Sequence, residues 1–182
     1  AIEGKLAAVI CVEDPLREEA ADAVRELKEA GITKVVMMTG DSERTAAAIA
    51  KRVGVDEYYS EVLPEDKASF VEKEKELGHK VIMIGDGIND SLALSSASVG
   101  IAISDGAAIA REIADVTISA DNLHEIVTLK RLSTALMKRI HNNYRTIIGI
   151  NGGLIALGVT GIIMPTTSAL LHNMSTLTIS LR

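Results

Sequence analysis

Cysteine is the first scarcity: the 182-residue chain has one, Cys11, inside the apolar run Leu6 to Val12. A disulfide framework is excluded, and the setting marks Cys11 as a small residue of a buried strand. No basic stripe stands out either. The formal net charge is −6, and acidic and basic side chains interleave as far as about residue 145. Nucleic acid is thereby excluded as a partner, because phosphate backbones are bound by clustered Lys and Arg. The chain lacks the charged-then-apolar opening of a leader at Ala1 and stops at Arg182 directly after an apolar segment. Both ends are expected to be cuts in a longer polypeptide.

The largest absence is of charge. From Thr146 to Leu181 there is no Asp, Glu, Lys or Arg. At ~20 residues per crossing this run approaches the length of two membrane helices, with a turn offered by Pro165-Thr166-Thr167. Lys138, Arg139 and Arg145 precede the first expected span and Arg182 follows the second, which places both outer ends on the cytoplasmic side. Residues 146–182 are therefore expected to lie in the cell membrane, with lipid as a partner, and residues 1–145 in the cytoplasm.

What is present before residue 146 is alternation. Apolar runs rich in Val, Ile and Met predict strands at Leu6 to Val12, Lys34 to Met38, Lys80 to Ile84, Val99 to Ile103 and Val116 to Ile118, with a short extended piece near Tyr58. Helical spacing predicts helices at Leu16 to Ala30, Ser42 to Val53, Pro64 to Leu77 and Asn89 to Ser95, and a short one around Ala108. From Asn122 no stop signal occurs before Gly149, so a stalk helix over 122–145 is expected to continue toward the membrane. Alternating strands and helices call for a parallel sheet covered on both faces, whose chemistry collects beyond the C-terminal ends of the strands.

The polar residues at those strand ends carry the chemistry. One strand ends in Thr39-Gly40-Asp41 and another in Gly85-Asp86-Gly87-Ile88-Asn89-Asp90. A hydroxyl, a glycine that admits close backbone approach and a helix start just beyond make an anion site suited to phosphate. Asp86 and Asp90 are hard-oxygen groups suited to Mg²⁺, which takes one or two protein carboxylates and completes its shell with phosphate oxygens and water. Lys67, in Pro64-Glu65-Asp66-Lys67, can bring a positive charge to the same phosphate. Alone, each motif is ordinary: Thr-Gly-Asp-Ser is a helix cap, Gly-Asp-Gly a turn, Lys67 a solvated lysine. Their order is what makes a site of them.

In that order, Met38-Thr39-Gly40-Asp41, Leu63-Pro64-Glu65-Asp66-Lys67 and Met83-Ile84-Gly85-Asp86-Gly87-Ile88-Asn89-Asp90-Ser91-Leu92-Ala93-Leu94 resemble the phosphorylation domain of P-type ATPases. Asp14-Pro15-Leu16-Arg17 and Val99 to Ile103 resemble it too. The resemblance implies a haloacid-dehalogenase-like, Rossmann-type parallel sheet over 1–121, a stalk helix over 122–145 and a transmembrane hairpin over 146–182. It implies that Thr39 and Gly40 contact a phosphoryl group and that Lys67 steadies its charge. Asp86 would ligate Mg²⁺, with Asn89 and Asp90 holding the phosphate and the metal-bound water network. Asp41 would lie near ATP, and Asp14 and Arg17 at a hinge toward a nucleotide-binding domain.

The family's phosphorylated aspartate lies in an Asp-Lys-Thr-Gly-Thr stretch, which these 182 residues do not contain. The expectation is a C-terminal piece of an ATP-driven pump, inert by itself because covalent catalysis needs its nucleophile, whose partner is the remainder of the same polypeptide. Two apolar spans after the phosphorylation domain resemble the heavy-metal branch. His172 stands where copper pumps of that branch carry Met, and imidazole suits Zn²⁺, Co²⁺ or Cd²⁺-like divalent ions better than Cu(I). His172 is thus the expected ligand of a transported divalent metal, with Asn151, Asn173 and Thr176 near it. Two other readings fit the sequence: a phosphatase of the same fold, and a non-catalytic membrane-anchored module.

Overall fold

A computed structural model describes residues 16–86, 89–103, 112–118 and 122–181. The expected first strand with Cys11, Asp14, the loop centre at 87 and 88, the short helix around Ala108 and Arg182 lie outside the described residues. The chain divides into two compact units, Ala1–Thr128 and Leu129–Arg182.

The first unit alternates helix and strand as expected: α1 (Ala20–Glu29), β1 (Val36–Met38), α2 (Glu43–Val53), β2 (Glu57–Tyr59), α3 (Pro64–Glu76), β3 (Ile82–Gly85), α4 (Ser91–Ser96), β4 (Val99–Ile103) and β5 (Val116–Ile118). All described strand pairs are parallel. β1 pairs with β2, with Met38 opposite Tyr59, and β3, β4 and β5 form a second sheet in that order, with Gly85 opposite Ala102 and Ile103 opposite Ile118.

Local chemistry sets the boundaries. Pro64 opens α3, where its missing N–H costs nothing, and the Asp66 carboxylate accepts the Leu63 N–H at 3.3 Å. Gly54 closes α2 at φ 79°, a left-handed cap that a side chain would resist. Helix α1 starts four residues later than the spacing predicts, because Arg17 to Glu19 form a turn in which the Ala20 N–H reaches the Arg17 carbonyl at 3.1 Å.

The core joins the elements that carry the site. Ala68 and Val71 of α3, Met83 of β3, and Ala93 and Leu94 of α4 form one buried cluster, against which Met38, at the end of β1, also packs. Burial of Val71, Met83 and Leu94 stabilises this arrangement by roughly 1.5–3 kcal/mol per side chain. Gly100 is sterically required here: a Cβ would stand 2.6 Å from the Leu94 carbonyl oxygen.

Two helices account for the rest, α5 (His124–Val159) and α6 (Pro165–Leu181). No helix among the described residues is long and apolar enough to cross a membrane, so the expected hairpin takes a different form. The turn lies at 160–164 around Gly161, φ 75°, and not at Pro165 to Thr167; Pro165 instead opens α6. The charge-free part of α5 therefore stops at Val159. With 17 residues, α6 is about 25 Å long against a hydrocarbon thickness of ~30 Å.

Candidate functional site

Two polar groups stand at the C-terminal ends of β1 and β3. At the first, Thr39 is fixed from both sides of its peptide: its N–H donates to the Tyr59 carbonyl at 3.0 Å and its carbonyl accepts from Val62 N–H at 3.0 Å. The Thr39 hydroxyl donates to Asp41 Oδ2 at 2.7 Å and accepts the Asp41 N–H at 3.1 Å. Asp41 is therefore folded back on Thr39. Ser42 holds the cap position of α2 without a side-chain cap bond. The Asp41 carbonyl in turn accepts the N–H of Glu61, a non-glycine residue at φ 54°. Gly40 is open on its free face, the nearest atom to an added Cβ being the Val62 carbonyl oxygen at 3.9 Å.

At the end of β3 the carboxylates divide their tasks. Asp86 accepts the backbone N–H of Asn89 at 3.1 Å and its side-chain amide at 3.2 Å, closing the loop on itself. Asp90 occupies the cap position of α4, yet its side chain makes no cap bond; Oδ1 lies 2.7 Å from Lys67 Nζ. These side chains are 13% and 15% exposed respectively, so the pair is largely withdrawn from water. Asp90 reaches this position by lying across Gly85, where an added Cβ would stand 2.6 Å from Asp90 Cβ and 2.8 Å from Cγ. The glycine is needed for the carboxylate. Packing of α3 on α4 in the common core delivers Lys67 from one side and Asp90 from the other.

The structure thus joins Lys67 with Asp90, Asp86 with Asn89 and Thr39 with Asp41, pairings that the sequence order does not specify. Arg17 lies in the turn before α1 with its guanidinium 3.8 Å from Glu19. The expected helix N-terminus behind Asp90 is slight, since α4 has six residues; charge at this end comes from Lys67.

Sequence reasoning missed Glu43. From the first turn of α2 it accepts the hydroxyl protons of Ser60 at 2.6 Å and Tyr58 at 2.7 Å, tying the Thr39-Gly40-Asp41 loop to the end of β2. Those bonds, Ser60 first, hold the Glu43 carboxyl below the usual range, while the bond to Glu43 pushes the Tyr58 phenol up. At the opposite end of β1, Asp56 joins Lys28 Nζ at 2.7 Å and the Val35 N–H at 2.7 Å, which lowers its pKa in that order of importance.

In the second unit, His172 Nδ1 lies 2.7 Å from Asn151 Oδ1, the pairing of the two expected positions. They line a groove of about 630 Å³ with Ser168 and Asn173. Thr176 differs from expectation: it is near His172, but its hydroxyl turns back to the His172 carbonyl at 3.1 Å, as Ser175 does at 2.8 Å. Ser168 was not singled out by the sequence, since nothing but the turn position brings it to the groove.

Residues 1–98 match the haloacid dehalogenase-like hydrolase family, and the chain belongs to that family. Within it, the chain is homologous to heavy-metal P-type ATPases. It is 37% identical over 180 residues to the zinc-exporting P-type ATPase of Mycobacterium marinum, covering 98% of this chain and 25% of that protein. It is 44% identical over 171 residues to copper-transporting ATPase 2 of Rhizobium meliloti, covering 94% and 20%. The crystal structure of a zinc-transporting PIB-type ATPase aligns with TM-score 0.81 at 34% identity, over 93% of this chain and 27% of that one. The chain spans about a quarter or less of the length of these relatives. Similarity to both zinc and copper transporters does not divide the two metals.

Proposed function

We propose that this chain is part of an ATP-driven heavy-metal pump that works through an aspartyl-phosphate, contributing phosphate and Mg²⁺ handling and part of the transport path. The observation that carries this reading is the Lys67–Asp90 pair, held at 2.7 Å beside Asp86 at the end of β3. A lysine and two carboxylates at a strand end suit a phosphoryl group accompanied by a hard cation. The donor set fits Mg²⁺, which needs only one or two protein carboxylates when phosphate oxygens complete its shell; Asp86 and Asp90 would hold it. Bound there, Mg²⁺ supplies positive charge to the phosphate oxygens.

A phosphoryl group would take the backbone N–H at the open face of Gly40 and the Thr39 hydroxyl proton that now goes to Asp41 Oδ2, with Lys67, beside Asp90, balancing its charge. Asn89 fixes the Asp86 carboxylate. On this reading Asp41, folded back on Thr39 in the structure, and Arg17 serve the nucleotide side of the site when ATP is bound. The phosphorylated aspartate belongs to another part of the longer polypeptide.

Residues 146–182 lie in the cell membrane among the pump's other helices, and 1–145 on its cytoplasmic side. In support, no Asp, Glu, Lys or Arg occurs from Thr146 to Leu181, although no described helix is by itself long and apolar enough to cross a membrane. Large apolar side chains such as Ile155, Leu170, Leu177 and Leu181 are outward-facing. His172 ligates the transported cation, and imidazole favours a divalent, zinc-like ion over Cu(I).

The test is Asp86→Asn in the full-length pump. Loss of a carboxylate from a two-carboxylate Mg²⁺ site is expected to abolish phosphoenzyme formation from ATP; near-normal turnover would reduce Asp86 to a turn residue. This chain alone, incubated with radiolabelled ATP and Mg²⁺, is expected to take up no acid-stable phosphate.

A further inference from the structure

The contact between His172 and Asn151 has a chemical consequence that depends on which atoms meet. An imidazole nitrogen 2.7 Å from an amide oxygen carries the proton, because two lone pairs at that distance repel. The neutral ring has one N–H and one lone pair, so a proton on Nδ1 leaves the lone pair on Nε2. The distance also separates a hydrogen bond from a shared metal: two ligands of one tetrahedral Zn²⁺, each at ~2.0–2.1 Å, stand ~3.3 Å apart. Asn151 and Nδ1 are closer than that.

We propose that Asn151 is a positioning residue that fixes His172 as the Nδ1–H tautomer, so that Nε2 is the atom that ligates the transported divalent cation. This rests on the reading of His172 as part of the transport path. Asn151 is half-buried near the middle of the uncharged part of α5, and His172 near the middle of α6. The bond therefore spans the two helices and holds the ring at the groove they share. Outer partners of ligating histidines act in this way, setting tautomer and ring orientation, and their loss typically weakens metal binding about 10–100-fold. Asn151 is on this reading not a ligand, although its amide oxygen has the chemistry of one.

The experiment uses the full-length pump, with Zn²⁺-stimulated ATPase activity, zinc X-ray absorption at saturating metal, and phosphorylation by inorganic phosphate as a check that each variant is folded. Asn151→Ala is expected to raise the Zn²⁺ concentration for half-maximal stimulation about 10–100-fold, with the maximal rate largely kept and the zinc ligand set unchanged. Asn151→Asp, which keeps an acceptor oxygen, is expected to restore half-maximal stimulation to within a few-fold of the parent. Unchanged zinc dependence in Asn151→Ala overturns the inference. So does loss of an oxygen ligand in that variant, which makes Asn151 a ligand, and so does failure of Asn151→Asp to restore, which shows that an acceptor oxygen at this place is not what zinc binding depends on. His172→Ala is expected to lose zinc stimulation; if stimulation persists, the transport-path reading itself falls, and this inference with it.

Discussion

Lys67 Nζ and Asp90 Oδ1 meet at 2.7 Å in a largely enclosed ion pair, each side chain less than one-sixth exposed. Removing one partner of such a pair leaves the other charge poorly solvated. Lys67→Met, which keeps most of the volume, is expected to destabilise the chain by about 1–3 kcal/mol. The double variant Lys67→Met with Asp90→Asn should recover part of that, because no unpaired charge is left. Urea unfolding of the four forms gives the coupling. Additive losses would mean that the contact contributes no specific energy.

Gly85→Ala tests how Asp90 is aimed. The added methyl would fall 2.6 Å from Asp90 Cβ, so either the side chain or the strand end must move. Phosphoenzyme formation in the full-length pump is expected to fall at least about 100-fold, as for misplacement of a positioning group by an ångström. Gly54→Ala, which meets no neighbouring atom and strains only a cap, should leave phosphorylation near normal. Equal effects from the two would make Gly85 a matter of backbone freedom alone.

Strands β4 and β5 were legible to the residue, since Val99 to Ile103 and Val116 to Ile118 are short apolar runs bounded by polar residues. Helix α3 was legible because Pro64 announces its start. Motif order picked out the candidate residues at the strand ends, but not which of them meet: Lys67 with Asp90 and Thr39 with Asp41. The contacts that fix the loops were not legible: Glu43 meets Tyr58 and Ser60 across 15 and 17 residues, and Lys28 meets Asp56 across 28, separations with no periodic signature. The interhelical turn falls earlier than expected because proline, a breaker inside a helix, is equally suited to a first helical turn; Gly161 at φ 75° was the residue the turn required. Thr176 was assigned by helical face alone, and face does not say which way a hydroxyl turns.

Asp56 makes stability depend on acid. Its pKa is lowered from the ordinary aspartate value of 3.8 by the Lys28 ammonium and then the Val35 N–H. A depressed folded-state pKa contributes stability that is fully present above the unfolded value and is lost as pH falls through the folded one. Asp56→Asn should therefore melt below the parent at neutral pH, and the gap should close progressively below about pH 4. A gap independent of pH would assign the loss to geometry and not to charge.

The last prediction uses Tyr58 as a reporter of the Glu43 clamp. Its phenol donates to Glu43 at 2.7 Å, and ionisation would both break that bond and set a phenolate beside a carboxylate, so its pKa lies above the usual value of 10.0. The chain has three tyrosines and no tryptophan, which makes phenolate absorbance readable. In the parent, one tyrosine is expected to titrate later than the others, and Tyr58→Phe should remove that late component. Glu43→Gln keeps a hydrogen-bond acceptor but removes the negative charge and should move the late component back toward the ordinary range. Because a raised folded-state pKa contributes stability that is lost as pH rises through it, the parent should also lose more stability than Tyr58→Phe in alkali. A late component that survives Glu43→Gln unchanged would show that the carboxylate does not hold Tyr58, and the tie between the start of α2 and the end of β2 would rest on Ser60 alone.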